Sequence, residues 1–393
     1  MQPQALVDLT PLLRIALLGA VLASGPLAWL WSTQRGSTPA ARLHGLTLLT
    51  LFLTFDLVVF GAFTRLSDSG LGCPDWPGCY GSASPLGAEA RIAVEARAIP
   101  TGAVTNAKAW IEMIHRYLAT AVGVLITVLA VRRWAVRGDE AAVSPWWATA
   151  TLLWVGLQGA FGALTVTMRL YPAIVTAHLL GGIGLLALLG AQTRMAADRA
   201  LASESRSFGW PVTLVLLVCV VQAALGGWVS ANYAVLACSD FPTCQGMWWP
   251  PMDFARGFTL LRPLGHTADG AFLPFPALTA IHVAHRIGAA AVFIALGWLV
   301  WRMRDRGRRL RRWALALAAL ALWQLASGLG NVVLGWPMSA ALAHTAGAAA
   351  LVGLLAALRM SRRAPPGPAG RSQPASGSSG AEPAGATRKI AVR

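Results

Sequence analysis

Charged side chains are scarce in this chain of 393 residues: Asp, Glu, Lys and Arg together make up 12% of it, against about a quarter in soluble domains. This deficit argues against a cytosolic enzyme. Acidic residues are the scarcer class, 16 against 32 basic ones, so the formal net charge is +16. The basic residues nevertheless stand in short clusters between apolar segments and line no soluble face, so no nucleic-acid partner is expected.

Apolar sequence, in contrast, is abundant, since 56% of the residues are hydrophobic. Many of them form runs of about 20 residues, the length that crosses a bilayer as a helix. The composition therefore predicts an all-α membrane protein with about nine transmembrane helices. The predicted spans are residues 12–31, 45–64, 111–131, 146–168, 173–193, 211–232, 277–301, 313–335 and 339–358.

The connections between these spans alternate in basic charge. Those on one side carry 22 Lys and Arg residues, whereas those on the other side carry seven. Cytoplasmic loops of membrane proteins are the basic ones. We therefore predict a multi-pass protein of a bacterial-type inner (plasma) membrane, with its N-terminus outside and its C-terminus in the cytoplasm.

The two ends of the chain differ from the rest. The first span lacks a strongly basic start and a clear small-x-small cleavage site before Trp29 and Trp31. We therefore expect residues 1–44 to form a retained extra helix and linker rather than a cleaved signal peptide. Residues 359–393 are basic and, from Ala364 on, rich in Pro, Gly and Ser, so they are predicted to form a disordered tail.

A unit of four spans occurs twice. Its two copies align at offsets of 165 to 170 residues, pairing Gly61 with Gly226, Cys73 with Cys238, Cys79 with Cys244, Glu112–Tyr117 with His282–Ile287, and His178 with His344. An even number of spans gives both copies the same direction across the membrane. The prediction is two tandem four-helix bundles, residues 45–193 and 211–358, joined by a cytoplasmic linker at 194–210.

Four histidines occupy similar places in their spans, one to two helical turns inside the outward-facing end. A single histidine of this kind is more often a hydrogen-bonded core residue, but ionisable residues in spans are costly and four of them need an explanation. Two histidines on different helices of each half are what axial ligation of one haem iron requires. Zinc would need a third or fourth nearby ligand, so haem is favoured. The four are His115, His178, His285 and His344.

Two polar residues stand one helical turn before a histidine of this set. Glu112 precedes His115, and His282 precedes His285, each on the same helix face. We assign His282 a supporting role. Because only the first half has a carboxylate there, able to take a proton or stabilise developing positive charge, the asymmetry predicts one catalytic haem and one electron-relay haem.

Other polar residues of the spans and loops are harder to interpret. Arg116 and Arg286 directly follow a predicted ligand, near the outer interface. Each would either pair with a haem propionate or extend to lipid headgroups, and the sequence leaves both roles open. The role of Asp56 is open too, whereas His44 and His266 are interpreted as ordinary surface residues.

Four of the five cysteines form two equally spaced pairs in outward loops, Cys73 with Cys79 and Cys238 with Cys244. The outer side of a bacterial membrane is oxidising, so disulfides are expected, and the spacer PDWPG permits the chain reversal that they need. A structural staple is favoured over a redox role. The fifth cysteine, Cys219, lies in a span and is expected to be a small core residue.

The segments FGAFTRLSDSGLGCPDWPGCYG, KAWIEMIHRYLATAVG, TAHLLGG and HVAHRIGA resemble those of the heme A synthases, and the resemblance covers roughly residues 45–358. It implies oxidation of the C8 methyl group of haem O to the formyl group of haem A, for cytochrome oxidase assembly. It also implies that His285 and His344 hold a haem b cofactor. His115 and His178 would then hold the substrate haem, with Glu112 beside it.

The implied partners are haem O, a haem O synthase, an electron donor and the lipid bilayer, and a homo-oligomer is compatible with the pattern. Two other classes stay open on the residues alone. A non-enzymatic cytochrome would pass electrons between two bis-histidine haems, but needs neither Glu112 nor the long cysteine loop. A transporter would share the repeat, but would favour helices broken at the membrane midplane.

Overall fold

The computed structural model describes residues 10–100, 102–137, 143–195 and 208–360. Within these ranges the chain is nearly all helical, with eleven α-helices and no β-strand. Nine of the described helices are long and apolar enough to cross a membrane. The predicted fold class, an all-α protein with about nine transmembrane helices, is confirmed.

The helices are numbered in chain order. The long ones are α1 (Thr10–Thr33), α2 (Pro39–Leu66), α4 (Asn106–Ala135), α5 (Pro145–Thr167), α6 (Pro172–Met195), α7 (Gly209–Ala231), α9 (Phe275–Met303), α10 (Arg308–Val333) and α11 (Met338–Met360). Two short helices, α3 (Glu89–Ala98) and α8 (Phe254–Gly257), lie in the connections that follow α2 and α7.

Several helices begin before their predicted apolar run. Thr38 caps α2 by accepting a hydrogen bond from the backbone N–H of Ala41 (3.3 Å), and Pro39 occupies the first turn. Proline suits that position because its missing N–H would have no helical partner there. The domain boundary predicted after residue 44 consequently falls inside α2.

The four long helices of each repeat contact one another in a closed cyclic order. In the first repeat α2 contacts α4, α4 contacts α5, α5 contacts α6, and α6 contacts α2. Helices α7, α9, α10 and α11 follow the same order in the second. The division into a pair of four-helix bundles stays a prediction. The halves also contact each other, and among the described helices α6 and α11 form the most extensive contact.

Equivalent residues of the two repeats meet where α2 and α7 end. Nη2 of Arg65 donates to the carbonyl oxygen of Ser230 (2.8 Å), and the hydroxyl of Tyr233 donates to Oδ1 of Asp68 (2.5 Å). Ser230 and Tyr233 stand 165 residues after Arg65 and Asp68, the offset that relates the two cysteine pairs. Both cysteine loops therefore leave the bundle on the same side.

Helix α1, which lies outside the repeat, packs against α4. A Cβ atom at Gly19 would lie 2.5 Å from Cγ2 of Thr120 and 3.0 Å from its backbone carbon, so no larger residue fits at this crossing. Retention of the first helix stays a prediction.

Two predicted segments fall largely outside the described residues. The predicted disordered tail, 359–393, is described only to Met360, where α11 ends. The predicted cytoplasmic linker, 194–210, is described only at its two ends.

Candidate functional site

The two histidines predicted as ligands in the second half face each other. The imidazole rings of His285 on α9 and His344 on α11 lie 6.4 Å apart between ring centres, with an interplanar angle of 78°. Metal–imidazole bonds are about 2.0–2.1 Å long, so two imidazoles on opposite sides of one metal have ring centres roughly 6 Å apart. The observed separation fits two axial ligands of one haem iron.

In the first half, His115 on α4 lies near enough to His178 on α6 to interact with it electrostatically. The Nδ1 atoms of both rings are buried and have no hydrogen-bond partner among the described residues. A buried polar atom without a partner is costly. Two such imidazoles are the donor set that an axially ligated haem needs.

A bare metal ion fits this donor set less well than haem. No group of three or more His, Cys, Asp and Glu side chains within the described ranges is placed to hold a metal ion. A zinc site in a protein normally has at least three such ligands. Each histidine pair in the described ranges offers two ligands, fewer than zinc normally takes.

Each of the four rings packs against a glycine on the long helix that precedes its own. A Cβ atom built on these glycines would lie 3.0–3.4 Å from Cε1 of the facing ring, tighter than ordinary contact. From the sequence, Gly61 and Gly226 were recognised only as equivalent positions of the repeat, and their contact with a histidine ring was not predicted. The four pairs are Gly61 with His115, Gly162 with His178, Gly226 with His285, and Gly328 with His344.

Glu112 is buried one turn before His115, with 4% of its surface exposed. Its Oε2 accepts a hydrogen bond from the backbone N–H of Cys73 (2.8 Å), and its Oε1 accepts one from Nη2 of Arg116. A carboxylate only accepts hydrogen bonds when ionised, and both of its oxygens have a donor here. Glu112 therefore joins the helix that carries His115 to the first cysteine loop.

Arg116 holds the first cysteine loop against α4. Its Nη1 donates to the carbonyl oxygens of Asp75 (2.9 Å), Pro77 (3.0 Å) and Gly78 (2.5 Å), while its Nη2 donates to Glu112. Both roles left open by the sequence, a propionate partner and a lipid-headgroup partner, stay predictions. The guanidinium is a clamp between the loop and the carboxylate.

Arg286 makes the equivalent contacts in the second half. It donates to the carbonyl oxygens of Cys238 (3.3 Å), Asp240 (2.8 Å) and Thr243 (2.8 Å). The carbonyls of Asp240 and Thr243 stand 165 residues after two of those that Arg116 holds. The repeat thus preserves the clamp as well as the histidines.

Both predicted disulfides are at bonding distance. The Cα atoms are 4.9 Å apart in Cys73–Cys79 and 4.7 Å apart in Cys238–Cys244. Cys219 is unpaired and buried, as expected of a core residue. Whether either pair is redox-active stays a prediction.

An aspartate organises the turn inside each cysteine loop. Asp75 accepts hydrogen bonds from the backbone N–H groups of Tyr80 and Gly81, both at 2.6 Å. Asp240 accepts them from the equivalent residues of the second loop and also from the hydroxyl of Thr243 (2.5 Å). The Thr243 hydroxyl and the backbone donors lower the pKa of Asp240 from its ordinary value, because they stabilise the charged form.

Three other polar residues singled out by the sequence have surroundings of their own. His282 is buried and its Nδ1 lies 3.0 Å from the carbonyl oxygen of Ala234, in the turn that follows α7. Asp56 is exposed on α2, with no hydrogen bond described for it. His266 lies in the loop after α8, stacked on Phe272 at 5.2 Å between ring centres.

The interpretation of His44 as an ordinary surface residue is wrong. The residue is half-buried, and its Nδ1 is buried without a partner in the described part of the chain. The reason is that α2 begins at Pro39, so His44 lies within a helix beside Arg133 of α4 rather than at a span edge.

Comparison with known proteins gives one consistent result. Residues 44–356 match the profile of a family described as cytochrome oxidase assembly protein, COX15-CtaA. The heme A synthase of Shewanella oneidensis is 38% identical over 317 residues, which cover 79% of this chain and 94% of that protein. The heme A synthases of Mesorhizobium japonicum and Caulobacter vibrioides are 28% and 29% identical, over 86% and 80% of this chain and 95% and 94% of their own.

Proposed function

Because this chain belongs to the cytochrome oxidase assembly family COX15-CtaA, we propose that it works as its relatives named heme A synthase do. It is a membrane oxidoreductase that acts on haem O. The reaction assigned to it is oxidation of the C8 methyl group of haem O to the formyl group of haem A. The observation that carries the division of roles is that two similar histidine pairs differ in one buried carboxylate, Glu112.

The second half is assigned the resident cofactor, haem b. His285 and His344 would hold it, since their ring separation of 6.4 Å fits one iron between them. Bound there, haem b supplies one-electron chemistry. Arg286 keeps the second cysteine loop against α9, and His282 braces the same helix against the turn at Ala234.

The first half is assigned the substrate haem, held by His115 and His178. Converting a methyl group to a formyl group removes two hydrogen atoms from carbon and adds one oxygen atom, a four-electron oxidation whose electrons pass to an external oxidant. A carboxylate fixed beside His115 would be placed to accept a proton released in that oxidation. Glu112 takes up a proton or stabilises the positive charge that develops. Arg116 and the backbone N–H of Cys73 hold that carboxylate in place.

A non-enzymatic cytochrome is the second candidate, since it would also use two bis-histidine haems. Electron transfer alone gives no reason for a buried carboxylate joined to a disulfide loop in one half only. Family membership and the names of the relatives favour the synthase.

The partners follow from the reaction. A haem O synthase supplies the substrate, and an electron donor serves haem b. The lipid bilayer surrounds the nine described spans, and a homo-oligomer is compatible with the fold.

Haem extraction and mass analysis test the function. Protein purified from cells that make haem O is expected to contain haem b together with haem O, its hydroxylated form or haem A. The matched control is His115→Ala, which should keep haem b and lose the others, because only the substrate ligand is removed. Haem b alone in the unmodified protein would favour the cytochrome.

The orientation in the membrane is tested by reporter fusions. Fusions after Arg137, Arg206 and Arg312 should report the cytoplasm, and fusions near Ser82 and Gly246 should report the outside, because 22 basic residues flank the first side and seven the second. A reversed pattern would place the cysteine loops in the cytoplasm and overturn the orientation.

A further inference from the structure

Three of the four histidine sites carry a companion glutamine. The glutamine stands four residues before the glycine that faces the histidine ring. A second glycine stands three residues after the histidine, and the amide of the glutamine occupies the space that a Cβ atom on this second glycine would need. At the fourth site, His115, the two positions hold Leu57 and Leu118. The glutamine–glycine pairs are Gln158 with Gly181, Gln222 with Gly288, and Gln324 with Gly347.

In the second half, side chains of the preceding helix hold both imidazole rings. Nε2 of Gln222 lies 3.0 Å from Nδ1 of His285 and donates to the carbonyl oxygen of the same residue, also at 3.0 Å. Oγ of Ser327 lies 3.1 Å from Nδ1 of His344, and Gln324 donates to the carbonyl oxygen of His344 (2.9 Å). Ser327 therefore contacts its ring at Nδ1, whereas the amide nitrogen of Gln222 lies nearer to Nδ1 than to Nε2 of His285, which is 3.5 Å away.

These side chains suit histidines that bind iron through Nε2. Such a histidine carries its proton on Nδ1 and donates it to an acceptor, which orients the ring and raises its basicity. The hydroxyl of Ser327 accepts that proton. Oε1 of Gln222 is buried without a partner among the described residues. A half-turn of the amide would present it to Nδ1 of His285 in exchange for the present hydrogen bond from Nε2 to the carbonyl oxygen of His285.

The first half lacks both acceptors. The residues equivalent to Gln222 and Ser327, at offsets of 165 and 166, are Leu57 and Phe161, and neither accepts a hydrogen bond. The Nδ1 atoms of His115 and His178 are accordingly buried and unpaired in the described structure. Gln158 is present, but no hydrogen bond to His178 is described for it, and its Oε1 has no partner there either.

We propose that Gln222 and Ser327 are positioning residues that fix His285 and His344 for a permanently held haem. Leu57 and Phe161 stand at the equivalent positions and accept no hydrogen bond. The rings of His115 and His178 therefore stay free to reorient, so that the haem bound between them can dissociate and be replaced. This inference rests on the proposed function, in which the first haem is a substrate exchanged at every turnover. Removing an outer-shell partner typically costs about 10–100-fold in metal affinity, enough to separate a retained haem from an exchanged one.

The test compares haem release from full-length protein purified with its haem b. Excess apomyoglobin takes up released haem, and the rate of transfer is followed by absorbance. The variant Gln222→Leu/Ser327→Ala should release haem b about tenfold faster or more, with a changed electron paramagnetic resonance spectrum of the ferric iron. Gln222→Glu and Ser327→Thr keep an acceptor at each position and should restore slow release, which separates lost positioning from misfolding.

Gln158→Leu is the matched control, because it makes the same substitution at another glutamine that stands four residues before a ring-facing glycine, with no described bond to its histidine ring. It should leave the release rate of haem b and its spectrum unchanged. The reciprocal variant Leu57→Gln/Phe161→Ser should slow the release of haem b added to a His285→Ala protein, whose second site is disabled.

The outcomes separate this inference from the function on which it rests. If Gln222→Leu/Ser327→Ala releases haem b at the unmodified rate with an unchanged spectrum, the positioning role is wrong and the synthase assignment stands. If the unmodified protein holds no haem b at all, the assignment of haem b to the second half is wrong, and the positioning role of Gln222 and Ser327 is wrong as well.

Discussion

Replacing His285 or His344 with alanine is expected to remove bound haem b from the purified protein. Each side chain is assigned as one of two axial ligands, and losing one leaves the iron without a ligand on that face. Haem b content per polypeptide, measured from the absorbance of the extracted haem, should fall to near zero. Haem A yield should fall with it, because the second half then has no electron relay.

The control for this pair is His266→Ala. That histidine lies in the loop after α8 and stacks on Phe272 away from the paired rings, so both haem b content and yield should be kept. Normal haem b content in both His285→Ala and His344→Ala would contradict the ligand assignment.

Replacing Glu112 with glutamine or alanine should stop haem A formation while leaving haem b bound. The carboxylate lies one turn from His115, which is proposed to hold the substrate haem, and not in the half assigned to haem b. Acid–base groups of this kind contribute about 10²–10⁴-fold to rate, so haem A yield per haem b should fall by about 100-fold or more. Extracted haems are separated and quantified for each variant.

The two substitutions of Glu112 differ in what they remove. Glutamine keeps acceptor contact with the Cys73 amide but removes the charge, whereas alanine removes both. If Glu112 only orients its neighbours, the glutamine variant should retain activity, and alanine should weaken substrate binding more than conversion. Loss of haem b in Glu112→Ala, with retention of haem b and activity in His285→Ala, would reverse the roles of the two halves.

The transmembrane helices were predictable from the sequence because bilayer thickness sets the length of an apolar run. Their ends were not, since a helix continues into polar residues wherever a cap and its backbone hydrogen bonds allow. Helix α10 begins at Arg308, five residues before its predicted apolar run. The same effect put His44 inside α2 rather than at its edge.

The histidine pairs were visible in the sequence because duplication repeats them at nearly constant offsets. The role of Arg116 was not visible, because its partners are carbonyl groups about 40 residues earlier that reach it only after the loop folds back.

One signal was overlooked. Both loops read Cys-x-Asp-aromatic-Pro-x-Cys-x-Gly, and a shared loop beside equivalent arginines indicates a shared binding partner for them.

The meeting of Arg65 with Ser230, and of Asp68 with Tyr233, shows what joining two copies in one polypeptide permits. Two separate, identical subunits arranged this way would set arginine against arginine and aspartate against aspartate, and like charges at close range repel. In the fused chain each of the two equivalent positions is encoded separately, so the two residues can differ. The guanidinium of Arg65 lies 4.1 Å from the ring centre of Tyr233, where a separate identical subunit would place a second aspartate. Covalent fusion thus allows equivalent positions of the two repeats to carry different residues. Such differences are needed before two duplicated haem pockets can take different functions.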